Sequence, residues 1–187
     1  MKKMAILASH NATVLEAIHK AIESKLLDLD ITLLISNNNN CTALKKAQKY
    51  GIDHYVINSS TTDNPDQSIC DLLRKYDVEY IFLAGYMKKV TQRVTQNFKV
   101  INSHPSLLPK YGGHGMYGRY VHDAVIANRE KISGVTIHKV SAEYDEGEII
   151  LQKTLHLSDN ETTESLEKKV KALEAKAVVE ALQICLK

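Results

Sequence analysis

No two cysteines of this chain stand in a C-x-x-C pair, and the three present, Cys41, Cys70 and Cys185, are an odd number. Neither a disulfide framework nor a zinc knuckle is signalled, and a reducing cytoplasm is the expected setting. The histidines are scattered and no H-E-x-x-H occurs, so no metal site is expected. A G-x-S-x-G elbow is also missing, and with it the signature of a serine hydrolase. Long apolar runs are absent. The first one ends at Ser9 and His10, too short for the core of a secretion signal, and no later stretch is long enough to span a bilayer. Nor is there an excess of charge of one sign. Lys and Arg number 24 against 22 Asp and Glu, a formal net charge of +2 that makes no electrostatic case for a nucleic-acid binder. Neither nucleic acid nor membrane is expected as a partner, and the chain is expected to act as a monomer or homodimer.

What is present is globular. Hydrophobic residues make up 44% and charged ones 25% of 187 residues, enough for one domain with a sizeable core. Met4–Ala8 reads as a short buried strand, and Leu15, Ile18 and Ile22 recur at helical spacing after it. Further strands are expected at Ile31–Ser36, His54–Ile57, Tyr80–Ala84 and Val100–Asn102, with helices over Thr42–Tyr50 and Gln67–Tyr76. Such alternation implies βαβ units, an α/β chain built on a mostly parallel sheet with helices on both faces. The alternation then changes. Ser133–Val140 and Glu148–Thr154 are separated only by Ser141–Gly147, too short for a crossover helix, so these strands should pair antiparallel. After Ser158, Leu166, Val170, Leu173 and Ala177 share one face of a long helix whose N-cap should lie within Asp159–Thr163.

Three stretches bear on chemistry. Ser9–Val14 (SHNATV) joins the first strand to the first helix, where free N–H groups of the helix suit an anion, yet it contains no glycine. An anion site and an ordinary turn, capped by Asn11 or Thr13, are both open. In Asn102-Ser103-His104-Pro105, residues two apart on an extended strand end face the same side, and Pro105 biases His104 toward that extended form. An amide and an imidazole aimed at one spot suit a reaction through a tetrahedral oxyanion, the amide holding the charge and the histidine moving a proton. A turn-capping Asn102 and a His104 packed under Leu107 and Leu108 is the competing reading. Tyr144-Asp145-Glu146-Gly147 lies in the late strand connection, and a carboxylate there would raise the pKa of His104. Spacing leaves Glu143, Asp145 and Glu146 as equal choices. His10, His54, His114, His122, His138 and His156 are read as surface or packing residues.

The stretches LAGYM at 83–87, INSHPSLLPKY at 101–111 and EYDEGEIILQ at 143–152 resemble, in order and spacing, those of the folate-dependent formyltransferases. The likeness covers nearly the whole chain. It implies the formyltransferase fold: a Rossmann-like, nucleotide-binding half over residues 1–100 and a catalytic, folate-binding half over 101–187. It implies formyl transfer from 10-formyltetrahydrofolate, as co-substrate, to the amine of glycinamide ribonucleotide in purine synthesis. By that resemblance Asn102 holds the formyl oxygen, His104 carries the proton and Asp145 raises the pKa of His104. Met87, Lys88, Lys89 and Val90, with Asn102 and Ser141, Ala142, Glu143, Tyr144 and Asp145, would line the folate site. Ala12, Thr13, Val14, Lys171 and Glu174 would meet the ribonucleotide. The family usually carries a glycine-rich Ser-Gly-x-Gly-Ser/Thr-Asn turn where this chain has Ser9–Val14, and Gly112–Tyr117 is longer than the commonest form. The alternatives are a different amine acceptor, a formyltetrahydrofolate hydrolase and a folate-binding protein without catalysis.

Overall fold

β1 (Lys2–Ala8) is buried at every position from Met4 onward, as a strand covered on both faces must be. Such burial is possible because the run carries no charge after Lys3. A computed structural model describes residues 1–141 and 143–187 of the chain, and Ala142 lies outside the described residues. The described chain forms two compact units, Met1–Ile101 and Asn102–Cys185.

In the first unit β1 is followed by α1 (Leu15–Glu23), β2 (Leu29–Ser36), α2 (Thr42–Lys49), β3 (Asp53–Val56), α3 (Pro65–Lys75), β4 (Tyr80–Leu83) and α4 (Gln92–Asn97). The strands run β3-β2-β1-β4-β5, where β5 (Lys99–His104) begins in this unit and ends in the second. β1 pairs parallel with β2 on one side and with β4 on the other, and β2 pairs parallel with β3. Met4, Ile6, Leu7, Leu33, Leu34, Ile35, Ile81 and Phe82 fill the core. β3 ends the order and is mostly exposed, as an edge strand is.

Two expectations change here. Neither Asn11 nor Thr13 caps α1, whose N-cap is Val14 with no side-chain bond. α3 begins at Pro65 rather than Gln67, because proline suits the first helical position and Asn64 accepts the Gln67 N–H at 3.1 Å. Thr42–Lys49 ends close to the expected place, with Gly51 just beyond at φ +68.

The second unit takes the end of β5, then α5 (Arg119–Ala127), β6 (Ile132–Lys139), β7 (Ile149–His156) and α6 (Thr163–Cys185), with strands in the order β5-β6-β7. β6 and β7 pair antiparallel, Ile132 opposite His156 through His138 opposite Ile149. Inner positions of β6 are buried, whereas exposure largely alternates along β7, the outer strand. Val121 and Val125 of α5 pack with Leu166 and Val170 of α6, and Tyr111, Met116 and Leu155 close over them. Thr162 caps the start of α6 by accepting the Ser165 N–H at 3.2 Å. Helices α4 and α5 have no counterpart in the sequence expectations. α4 is only 6 residues long, and α5 follows a loop whose glycines mask its onset.

Candidate active site

β5 delivers Asn102 and His104, two residues apart, and both side chains reach a cluster completed by β6 and the β6–β7 loop, all within the second unit. His104 is 3% exposed, and its Nδ1 stands 3.5 Å from Asp145 Oδ2. Its Nε2 lies 2.7 Å from the Tyr111 carbonyl oxygen, and because a carbonyl only accepts, Nε2 is the protonated, donating nitrogen. His138 is the residue that the sequence reading set aside as surface or packing. It is 1% exposed and lies at the centre of the cluster. Its Nδ1 donates to the Lys139 carbonyl at 2.9 Å, so its Nε2 accepts from Asn102 Nδ2 at 3.1 Å. That nitrogen also stands 3.5 Å from Asp145 Oδ1. One amide hydrogen of Asn102 remains for a ligand.

Of the three acidic choices, Asp145 is turned inward while Glu143 and Glu146 are exposed. Its Oδ2 also accepts the Gly113 N–H at 2.9 Å. Gly147 makes this turn possible. A Cβ there would lie 1.6 Å from the Lys139 carbonyl oxygen, so only glycine lets the loop close against β6. Asp145 itself takes a left-handed φ of 57°, which Asp tolerates better than most residues.

Burial is the largest influence on the His104 pKa and pushes it down. Asp145 and the Tyr111 carbonyl push it up, His138 pushes it down, and the balance is below the ordinary histidine value. Asp145 thus raises the His104 pKa, as expected of it, but burial outweighs that push. For Asp145, burial works upward, but His138 when its Nε2 carries a proton, the His104 charge and the Gly113 N–H together bring the carboxyl below its usual range.

The other sequence-selected residues are spread over both units. In the first, Ser9 is 2% exposed, and its hydroxyl donates to Asn37 Oδ1 at 2.5 Å and accepts the Met87 N–H at 2.7 Å. The Met87 amide is therefore already engaged, whereas Lys88 and Lys89 are exposed and Val90 is buried. Ala12 is buried at φ 42°, a left-handed conformation normally left to glycine, with Thr13 exposed and Val14 buried beside it. Lys46 of α2 donates to the Ala12 carbonyl at 3.4 Å, a cation at this turn that the sequence reading did not single out. In the second unit, Ser141 accepts the Glu143 N–H at 3.3 Å, and Tyr144 is exposed. Lys171 pairs with Glu167 one turn back rather than with Glu174. Glu174 instead accepts from Ser103 Oγ at 2.6 Å, and burial raises its pKa although Ser103 and Lys171 oppose this. Among the described residues, no group of three or more His, Cys, Asp or Glu side chains is arranged to hold a metal ion. No helix among them is long and apolar enough to cross a membrane.

The sequence pattern described as formyl transferase matches residues 2–182. The chain is 36% identical over 179 residues to a phosphoribosylglycinamide formyltransferase of Haemophilus influenzae, covering 93% of this chain and 82% of that one. It is 32% identical over 181 residues to a protein of the same name from Bacillus subtilis, covering 94% and 90%. The chloroplastic phosphoribosylglycinamide formyltransferase of Arabidopsis thaliana is 35% identical over 187 residues, with 97% of this chain covered. This chain spans 64% of that relative's length and 60% of its counterpart from Vigna unguiculata. Among solved structures, glycinamide ribonucleotide transformylase 1 from Symbiobacterium toebii superposes with a TM-score of 0.92 at 27% identity, covering 100% of this chain and 88% of that one.

Proposed function

Because the chain belongs to the formyl transferase family, we propose that it transfers a formyl group from 10-formyltetrahydrofolate to the amine of 5'-phosphoribosylglycinamide, a step of purine nucleotide synthesis. The cluster of Asn102, His104, His138 and Asp145 carries this reading. The acceptor amine attacks the formyl carbon and the carbonyl oxygen becomes an oxyanion. The free amide hydrogen of Asn102 stabilises that charge. His104 takes a proton from the attacking nitrogen and returns one to the departing N10 of the folate, giving the formamide and tetrahydrofolate. Asp145 stabilises the imidazolium formed in between. Reaction at neutral pH suits a histidine whose pKa burial holds below its ordinary value, since it is then a free base ready to accept.

Backbone groups of Met87, Lys88, Lys89 and Val90, and of Ser141 to Asp145, are proposed to bind the folate. The turn of Ala12, Thr13 and Val14, with Lys171 and Glu174, is proposed to bind the ribonucleotide. The bacterial relatives, 82% and 90% of whose length the chain spans, support the choice of acceptor by their names. The three cysteines stand as thiols, two of them buried, which fits a cytoplasmic setting. The test is formyl transfer from 10-formyltetrahydrofolate to glycinamide ribonucleotide by the purified protein. A rate with that amine no faster than without protein overturns the proposal. Ala12, left-handed where the family carries glycine, supports a second reading, a different amine acceptor, which a screen of amines with the same donor distinguishes.

A further inference from the structure

We propose that Tyr111 and Glu130 form a positioning pair that fixes Nε2 as the protonated nitrogen of resting His104, leaving Nδ1 as the nitrogen that gains and loses the catalytic proton. This rests on His104 being the proton carrier of the reaction above. The Tyr111 hydroxyl donates to Glu130 Oε1 at 2.9 Å, and Lys110 Nζ donates to the same oxygen at 2.9 Å. Tyr111 holds a left-handed φ of 57°, which a bulky residue keeps only where its surroundings enforce it. The carbonyl aimed at Nε2 is fixed by that backbone conformation, so the ring anchored on Glu130 and the carbonyl on His104 are two ends of one constraint.

The flanking chain is held as firmly. Ser106 Oγ donates to the Lys110 carbonyl at 2.7 Å, Thr136 Oγ1 accepts the Leu108 N–H at 3.0 Å, and Gln152 Nε2 donates to the Leu108 carbonyl at 2.9 Å. Beyond Tyr111, a Cβ on Gly112 would lie 2.5 Å from Leu108 Cδ2 and 3.3 Å from Asp145 Cβ. The next residue, Gly113, donates to Asp145 Oδ2, the oxygen that faces His104 Nδ1. One short segment thus sets both partners of the imidazole. The arrangement reverses that of a serine hydrolase triad, in which the acid holds a protonated Nδ1 and Nε2 exchanges the proton. The groups facing His104 are Asp145 from the β6–β7 loop, His138 from β6, His122 from α5 and the Tyr111 carbonyl.

The test is a long-range proton–nitrogen spectrum of the full chain labelled with 15N-histidine, with His104 assigned by its loss in His104→Gln. Wild-type protein at neutral pH should show a protonated Nε2 and a bare Nδ1. Tyr111→Phe and Glu130→Ala should turn this into a mixture of tautomers and move the acid limb of kcat/KM to lower pH. They should also reduce kcat about tenfold with KM for the folate unchanged, well short of the ~100-fold that a misplacement of about 1 Å can cost. Glu130→Gln, which keeps an oxygen for the Tyr111 hydroxyl, should restore the wild-type spectrum and profile. Lys110→Met, which removes only the ion pair, should leave both unchanged. A wild-type ring protonated at Nδ1 overturns the proposal. So do wild-type shifts and an unmoved acid limb in both Tyr111→Phe and Glu130→Ala. If the expected tautomer is found but no formyl transfer, the positioning pair stands and the proposed function falls.

Discussion

The cluster around His104 and the turn at Ser9–Val14 obey different rules. In the cluster the polar side chains hold one another: Asn102 donates to His138, His138 to the Lys139 carbonyl, Gly113 to Asp145, and His104 to the Tyr111 carbonyl. The turn instead carries Ala12 in a conformation that suits glycine, and a helix with no side-chain cap. A buried, mutually bonded network leaves little room for change, because the loss of one partner strands another in a medium of low dielectric. Among the described residues the turn has no such web of side-chain bonds around Ala12, Thr13 and Val14, so a change there strands fewer partners. The proposed formyl-transfer chemistry is therefore tied down more tightly than the identity of the proposed acceptor.

Changes inside the cluster should have the largest effect. His104→Ala is expected to lose nearly all transfer, about 10²–10⁴-fold in kcat, while folate binding measured by fluorescence or calorimetry persists. Asn102→Ala removes the proposed oxyanion donor and the partner of His138 together, and is expected to cost about 10²–10³-fold in kcat. Near-normal turnover in either variant would break the comparison.

Titration comes next. His104 and His122 both have pKa values lowered by burial, so the unfolded chain takes up protons before the folded one does. Stability should fall as pH drops below about 6.5 toward the lowered native values, and denaturant unfolding at a series of pH values reads this directly. Glu174 works in the opposite sense. Its raised carboxyl costs stability as pH rises from the ordinary glutamate value through the native one, so the cost is fully present above the native pKa. Glu174→Gln keeps an oxygen for Ser103 and should raise the neutral-pH melting temperature, by about 2–4 °C per kcal/mol relieved. If Glu174 also meets the acceptor, the same variant raises KM for the ribonucleotide.

The smallest effect belongs to the turn. Ala12→Gly relieves a left-handed alanine at the expense of a more flexible unfolded chain. The expected net gain is about 0.5–1 kcal/mol, measured by thermal unfolding, together with a lower KM for the acceptor. A loss of stability would show that the turn has adapted to alanine.

Much of this was legible in the residues. The alternation of strands and helices, the antiparallel late pair and the extended Asn102–His104 stretch follow from periodicity and from Pro105. The choice of Asp145 over Glu143 and Glu146 does not, because it depends on how the loop turns at Gly147, and no spacing encodes a close approach to a distant carbonyl. The resemblance supplied that choice. His138 was missed because a histidine within an apolar strand reads as packing, although it shares a face with Thr136, another buried polar residue. Glu174 left a fainter trace. Leu166, Val170, Glu174, Val178 and Leu182 recur every fourth residue, which places a carboxyl within the buried stripe of α6. The lowered pKa of His104 could not be read at all, since it comes from how completely the folded chain encloses the ring.

Gly147 bears on how natural variants of this chain should be sorted. It touches no reacting atom, and a ranking by distance from the chemistry would file it with the tolerant loop positions. Yet any side chain there collides with the Lys139 carbonyl, so the loop that carries Asp145 must shift. A protein altered at this position would keep its secondary structure and its first unit, and would be scored as an active-site lesion by assay and as a harmless surface change by inspection.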